Sequence, residues 1–148
     1  MISRNGPDEN ASLRDCATMI RGMLEICDTA HTTCGTSTVE QSSSNSEASK
    51  FIPKRLLYIS SDHACLRIRL CETASGDLSL KAVGLQYTAL SHCWGSMPII
   101  KTTSATISQF ETEGIAWASL PKTFQEAITL TSEIGIQYIW IDSLCKYS

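Results

Sequence analysis

Four residues near two short apolar segments have the side chains of a hydrolytic site: His92, Cys93, Asp142 and Cys145. A thiolate beside a histidine that is oriented by a carboxylate is the arrangement that nucleophilic acyl transfer requires. His92 and Cys93 are neighbours at a strand end and point to opposite sides of it, so Cys145 would have to be the nucleophile. Packing is the favoured reading of this group. Asp142 closes an apolar run, Tyr138-Ile-Trp-Ile141, and is either a helix N-cap or a ligand contact. Ser91, Trp94 and Gly95 complete the same edge. The Trp94 ring either stacks on a ligand or plugs the edge beside the glycine turn, and packing is again preferred.

A second constellation, Cys27-x3-His31-x2-Cys34, contains soft metal ligands. Tetrahedral zinc asks for four ligands, and Cys16 lies three turns upstream, too far along a helix axis to converge. A buried amphipathic stripe is therefore preferred, and no metal or cofactor is expected. The seven cysteines are scattered without a compact framework, which suits thiols in a reducing compartment.

Three stretches must position these residues. Leu13, Cys16, Ala17, Ile20, Leu24, Cys27 and His31 recur at helical steps, with Asp8, Asn10 or Ser12 as cap and Gly35 as stop. Residues 1–35 are thus a helical Cys/His segment. Residues 36–50 are Ser-rich and read as a flexible linker. Residues 51–148 form the folded body. Within it Leu56–Ile59 reads as a strand, and Leu66, Ile68 and Leu70 alternate with Arg67 and Arg69 as another. A hairpin partner is expected at Leu78–Val83, after the Ser75-Gly76-Asp77 turn. Tyr87–Ser91 is a strand, 102–113 a helix ending at Gly114, and 121–134 a helix ending at Gly135. Thr123 and Glu126 have capping-box spacing. The apolar run at Tyr138–Ile141 predicts a strand covered on both faces, parallel to Tyr87–Ser91 through a right-handed crossover. Both strands then deliver their polar residues to one carboxyl edge.

With 148 residues, 43% of them hydrophobic, the chain has material for one core. The net charge of -3 and the absence of a basic cluster argue against a nucleic-acid partner. The N-terminus lacks an apolar signal segment and no stretch is long enough to span a bilayer, so a soluble, cytoplasmic protein is expected.

Three blocks in order carry a family resemblance: Tyr87-x-Ala-Leu-Ser-His-Cys-Trp-Gly95, Trp117-x-x-Leu-Pro-Lys-Thr-Phe-x-x-Ala-Ile128, and Leu130-x-x-x-x-Gly-Ile-x-Tyr-Ile-Trp-Ile-Asp-Ser-Leu-Cys145. They resemble the fungal heterokaryon-incompatibility (HET) domain. Pro53-Lys-Arg-Leu-Leu57 and the Cys27/His31/Cys34 helix are similar to upstream parts of that family, with Met23 where Trp is usual. The resemblance implies a partial TIR-like or flavodoxin-like α/β fold, a parallel sheet with flanking helices preceded by an N-terminal helix and a β-hairpin. It implies a signalling or interaction module of non-self recognition linked to programmed cell death, working through self-association or protein partners. The family accepts Tyr in place of His92, which a general base would not allow. NAD enters only by analogy, as a substrate of TIR-like enzymes whose active carboxylate would lie beyond this chain. The family pattern continues past Cys145 whereas the chain reads Lys146-Tyr147-Ser148, so it is expected to be incomplete, without enzymatic activity, and to leave Tyr138–Ile141 as an unpaired edge. An inactive truncated product is the remaining alternative.

Overall fold

The structure is a computed structural model and describes residues 12–31, 52–62, 65–73, 85–93, 95 and 98–146. The linker 36–50, Cys34, Gly35, Trp94 and the expected strand 78–83 lie outside these residues. Two compact units divide the chain at Phe51.

The first unit contains helix α1, Leu13–Ala30. Of the three cap candidates it is Ser12 that closes its start. Ser12 Oγ accepts from the Asp15 amide (3.3 Å), and Asp15 reaches back to the Ser12 amide (3.1 Å), a reciprocal capping box. These bonds to Ser12 hold the Asp15 carboxyl below its ordinary pKa. The helix stops with His31 in an extended conformation, four residues before Gly35.

The second unit is a four-stranded sheet in the order β2-β1-β4-β3. The strands are β1 (Arg55–Asp62), β2 (Cys65–Glu72), β3 (Thr88–Leu90) and β4 (Tyr138–Ile141). Between β3 and β4 come α2 (Ile107–Thr112), a 3₁₀ turn (Trp117–Ser119) and α3 (Lys122–Glu133), and α4 (Asp142–Cys145) follows β4 directly. The parallel pairing expected of β3 and β4 is present, with Thr88 opposite Ile139 and Leu90 opposite Ile141.

The sheet as a whole is mixed. Strand β1 pairs antiparallel with both β2 and β4, so only β3 and β4 are parallel. The alternating strand Leu66–Leu70 takes the preceding strand β1 as its hairpin partner, because the connection there is only two residues long. Strand β4 is consequently central, flanked by β1 and β3, and its backbone is not an open edge. Its cover is also asymmetric: Ile139 and Ile141 are buried, whereas Tyr138 and Trp140 are half-buried. The Tyr138 ring instead meets Tyr58 across the strand pair at 5.4 Å.

One core forms between the sheet and its helices. Leu57, Ile59, Ile68 and Leu70 of the hairpin meet Ile139 and Ile141, and Phe110, Phe124 and Ile128 of the helices close over them. Burying each such side chain contributes about 1.5–3 kcal/mol. Arg67 and Arg69 face solvent, as the two-residue period requires.

The first of the two crossover helices starts later than the sequence pattern suggests, and the second takes a different cap. Residues 103–106 form a threonine-stapled turn, with the Thr103 amide donating to Thr106 Oγ1 (2.9 Å), so α2 begins at Ile107. Pro121 occupies the N-cap of α3, and its carbonyl accepts from the Phe124 and Gln125 amides at 2.9 and 3.0 Å. Thr123 therefore sits inside the first turn and makes no capping box. Gln125 Nε2 reaches back instead to the carbonyls of Trp117 (2.9 Å) and Leu120 (3.0 Å), fixing the 3₁₀ turn to the helix. The far end of α3 closes as a Schellman motif on Gly135 (φ 86°), with Ile136 N–H on Thr131 O and Gly135 N–H on Ser132 O.

Gly114 has a stricter requirement. Its φ is 91°, and a Cβ there would lie 2.6 Å from the Ile68 carbonyl oxygen. That oxygen accepts the Ile115 amide at 2.8 Å, which ties the α2 end to β2. Gly114→Ala is expected to destabilise the fold by about 1–3 kcal/mol, through backbone strain and a displaced β2 contact. Chemical denaturation of the variant beside wild type measures this, and an unchanged midpoint contradicts it.

Candidate functional site

The β3–β4 register decides what stands together. Leu90 lies opposite Ile141, so Ser91 and Asp142, the next residue of each chain segment, leave the sheet at the same edge. The side chains from the two strand ends are held by a network that the primary structure does not advertise.

Helix α4 is a single turn, and its backbone carbonyls need donors from elsewhere. Thr102 supplies two of them. Its amide donates to Ser143 O (3.0 Å) and its hydroxyl to Leu144 O (2.6 Å), and Thr102 is entirely buried. Arg55, from the start of β1, donates through Nε to Cys145 O at 3.2 Å. The Lys146 amide closes the turn on Asp142 O at 3.0 Å. All four carbonyls of the turn are thereby satisfied, by the loop ahead of α2, by β1 and by the chain's own next residue.

Asp142 is the first residue of this turn; Ile141 is its N-cap, so Asp142 does not cap the helix. Its carboxylate instead pairs with the Lys146 ammonium, Oδ1 to Nζ at 2.5 Å. That ammonium also lies over the Trp140 ring, 5.6 Å from its centroid. Lys146 is mostly exposed, so the pair stabilises by at most about 1 kcal/mol.

His92 is half-buried, with its ring edge-on to Phe124 (4.9 Å between centroids, 83° between planes). Its Nε2 is out of contact with solvent and makes no hydrogen bond, and the same holds for the Ser143 hydroxyl. Two buried polar atoms thus have unused hydrogen-bonding capacity at the carboxyl edge. Ser91 and Gly95 are exposed, and Gly95 has φ 62°, in keeping with the sharp change of direction expected of it. Trp94 lies outside the described residues.

Cys145 does not have the character of a nucleophile. Burial pushes its thiol up to about 11, against the smaller opposing effects of the Ile141 and Leu57 backbone and the Arg55 charge. The sulfur accepts the Ile141 amide at 3.4 Å and donates towards Ile139 O at 3.9 Å, so it acts as a core group tying α4 back onto β4. Cys93 is exposed beside His92.

In the N-terminal unit Cys27 is half-buried on α1, and His31 is exposed at its C-cap, with its amide donating to Cys27 O at 3.3 Å. Cys34 is outside the described residues. Among the described residues no three His, Cys, Asp or Glu side chains gather as a metal site.

Sequence reasoning missed Thr102 and Arg55. Thr102 sits in a run of polar residues with nothing to distinguish it, and Arg55 reads as an ordinary cation flanking a strand.

The raised Cys145 pKa makes stability depend on pH. The folded thiol keeps its proton where the unfolded one, near 9, begins to lose it, so the contribution is whole below about 9 and is lost as pH rises towards 11. Cys145 is accordingly expected to resist alkylation at pH 8 in the folded chain while Cys93 reacts, as read by mass spectrometry. Equal labelling of the two contradicts the assignment.

No helix of the described residues is long and apolar enough to cross a membrane. No curated protein and no solved structure matches the chain. Residues 87–146, which run from the approach to β3 through α4 and so contain the whole β3–β4 edge, match the family model "Heterokaryon incompatibility protein (HET)". Over that span the chain is similar to the heterokaryon incompatibility family.

Proposed function

We propose that the chain acts in fungal non-self recognition as a cytoplasmic signalling module of incompatibility cell death, working through protein contacts that include self-association. The observation that carries this reading is the HET family match over residues 87–146. The chemistry of the carboxyl edge supports binding over catalysis. The Cys145 thiol is kept protonated at neutral pH, and the His92 ring is wedged against Phe124, away from any described carboxylate partner. What the edge offers is hydrogen-bonding capacity, at His92 Nε2 and Ser143 Oγ, for a polar group of a ligand or partner.

A parallel strand pair with its helical crossover supports a partial TIR-like or flavodoxin-like arrangement, on which the antiparallel β1–β2 hairpin is an addition. One observation favours a second reading, TIR-like cleavage of NAD: the Asp142 carboxylate stands on the parallel edge, where open α/β sheets bind ligands. Its pairing with Lys146 weighs against that role, because a carboxylate already neutralised is less available to a cationic nicotinamide.

The purified chain incubated with NAD, beside Asp142→Ala, separates the two. No turnover in either protein is expected. Turnover that disappears in Asp142→Ala overturns the binding-module reading and makes Asp142 the catalytic carboxylate. Expression in one of two fusing fungal strains tests the signalling role: a changed incompatibility reaction is expected, and an unchanged one contradicts it.

A further inference from the structure

The helical side chains that close the core, Phe110, Phe124 and Ile128, all meet one face of the sheet, the face of Leu57, Ile68 and Ile139. The two-residue period of a strand turns the intervening residues to the opposite face.

The register fixes what stands there. Arg69 lies opposite Tyr58, and Tyr58 opposite Tyr138, so the three form one row across β2, β1 and β4. Arg67, opposite Ser60, shares that face with Arg69, about 7 Å along β2. Trp140 follows two residues after Tyr138, opposite the exposed Ala89 of β3. The Tyr58 and Tyr138 rings lie 5.4 Å apart and, like Trp140, are half-buried. Arg67 and Arg69 are exposed, and among the described residues neither has an ion pair. Lys146, the cation over Trp140, is already paired with Asp142. The face is therefore aromatic along β1 and β4, and its uncompensated charge, two guanidiniums, lies along β2.

We propose that this face docks an acidic amphipathic helix of another protein, laid along β1 with its carboxylates over Arg67 and Arg69 and its apolar stripe on Tyr58, Tyr138 and Trp140. Charge and width both select that occupant. Two guanidiniums on one margin ask for carboxylates, and a half-buried aromatic strip asks for apolar cover. Strands β2 and β4 stand two strand spacings apart, roughly 10 Å, which is the diameter of a helix with its side chains. A second copy of this chain presenting the same face brings a second set of cations and no complementary charge. A nucleic acid would find two phosphate partners on a chain of net charge -3, which offers a polyanion no attractive field. The inference stands on the sheet alone and does not depend on the family reading.

Fluorescence anisotropy with the full chain and a labelled synthetic helix, a leucine stripe flanked by glutamates, tests it. Binding is expected, and Arg67→Glu combined with Arg69→Glu is expected to weaken it at least about tenfold. Both side chains are exposed, so the double variant keeps the fold. Arg14→Glu combined with Arg21→Glu, on α1, makes the same change of net charge and is expected to leave the affinity unchanged. With the peptide's glutamates replaced by lysines the order is expected to reverse, the Arg67/Arg69 variant binding more tightly than wild type. Absence of binding overturns the proposal, as does equal affinity of wild type and the Arg67/Arg69 variant. Two further results would assign the face to a different occupant and overturn the acidic helix. One is tighter binding of a labelled oligothymidylate than of the peptide, and the other is a dimer in sedimentation that the Arg67/Arg69 variant dissolves.

Discussion

A one-turn helix cannot satisfy its own carbonyls, and the architecture around the carboxyl edge follows from that constraint. Three of the four carbonyls of Asp142–Cys145 take donors from distant parts of the chain or from its loop, Thr102 giving two and Arg55 one. An unsatisfied buried carbonyl costs about 1–3 kcal/mol, comparable with the loss of a core side chain. The loop ahead of α2 must therefore approach α4, and β1 must lie next to β4. The sheet order β2-β1-β4-β3 meets the second condition, and the Thr102 bonds meet the first.

The same constraint gives the edge its chemical character. Drawing Leu144 and Cys145 into the core leaves the thiol desolvated and protonated, fit for packing and unfit for attack. Asp142 remains half-buried at the start of the turn, neutralised by Lys146. Ser143 and His92 keep buried polar atoms with no hydrogen-bond partner. These two atoms are the hydrogen-bonding capacity that the edge holds in reserve, inside the span that matches the HET family model.

How much of this was legible beforehand follows from the range of the interactions. The strands β3 and β4 and the two intervening helices are written in local periodicity and in Gly114 and Gly135, although α2 begins at Ile107, five residues into its expected span. The antiparallel hairpin next to β4 was not, because Leu56–Ile59 and Leu66–Leu70 carry strand patterns without naming their partners. Thr123 and Glu126 have capping-box spacing, yet Pro121 takes the cap, since its fixed φ and available carbonyl start the helix two residues sooner. Thr102 and Arg55 were invisible: a hydrogen bond across 42 or 90 residues leaves no local pattern. Asp142 and Cys145 were found as residues, while their roles depended on burial and on Lys146, which only the fold reveals.

The most direct measurement is the stability of Thr102→Val, which keeps the shape and the amide donor but removes the hydroxyl from Leu144 O. Leaving that carbonyl without its donor is expected to lower the unfolding free energy by about 1–3 kcal/mol, with the denaturant slope unchanged. Amide exchange at Ile141, which donates to Cys145 Sγ, is expected to accelerate with it. A variant as stable as the wild-type chain, with Ile141 equally protected, would contradict the claim that the Thr102 hydroxyl holds α4 in place at the sheet edge by tying it to the loop ahead of α2.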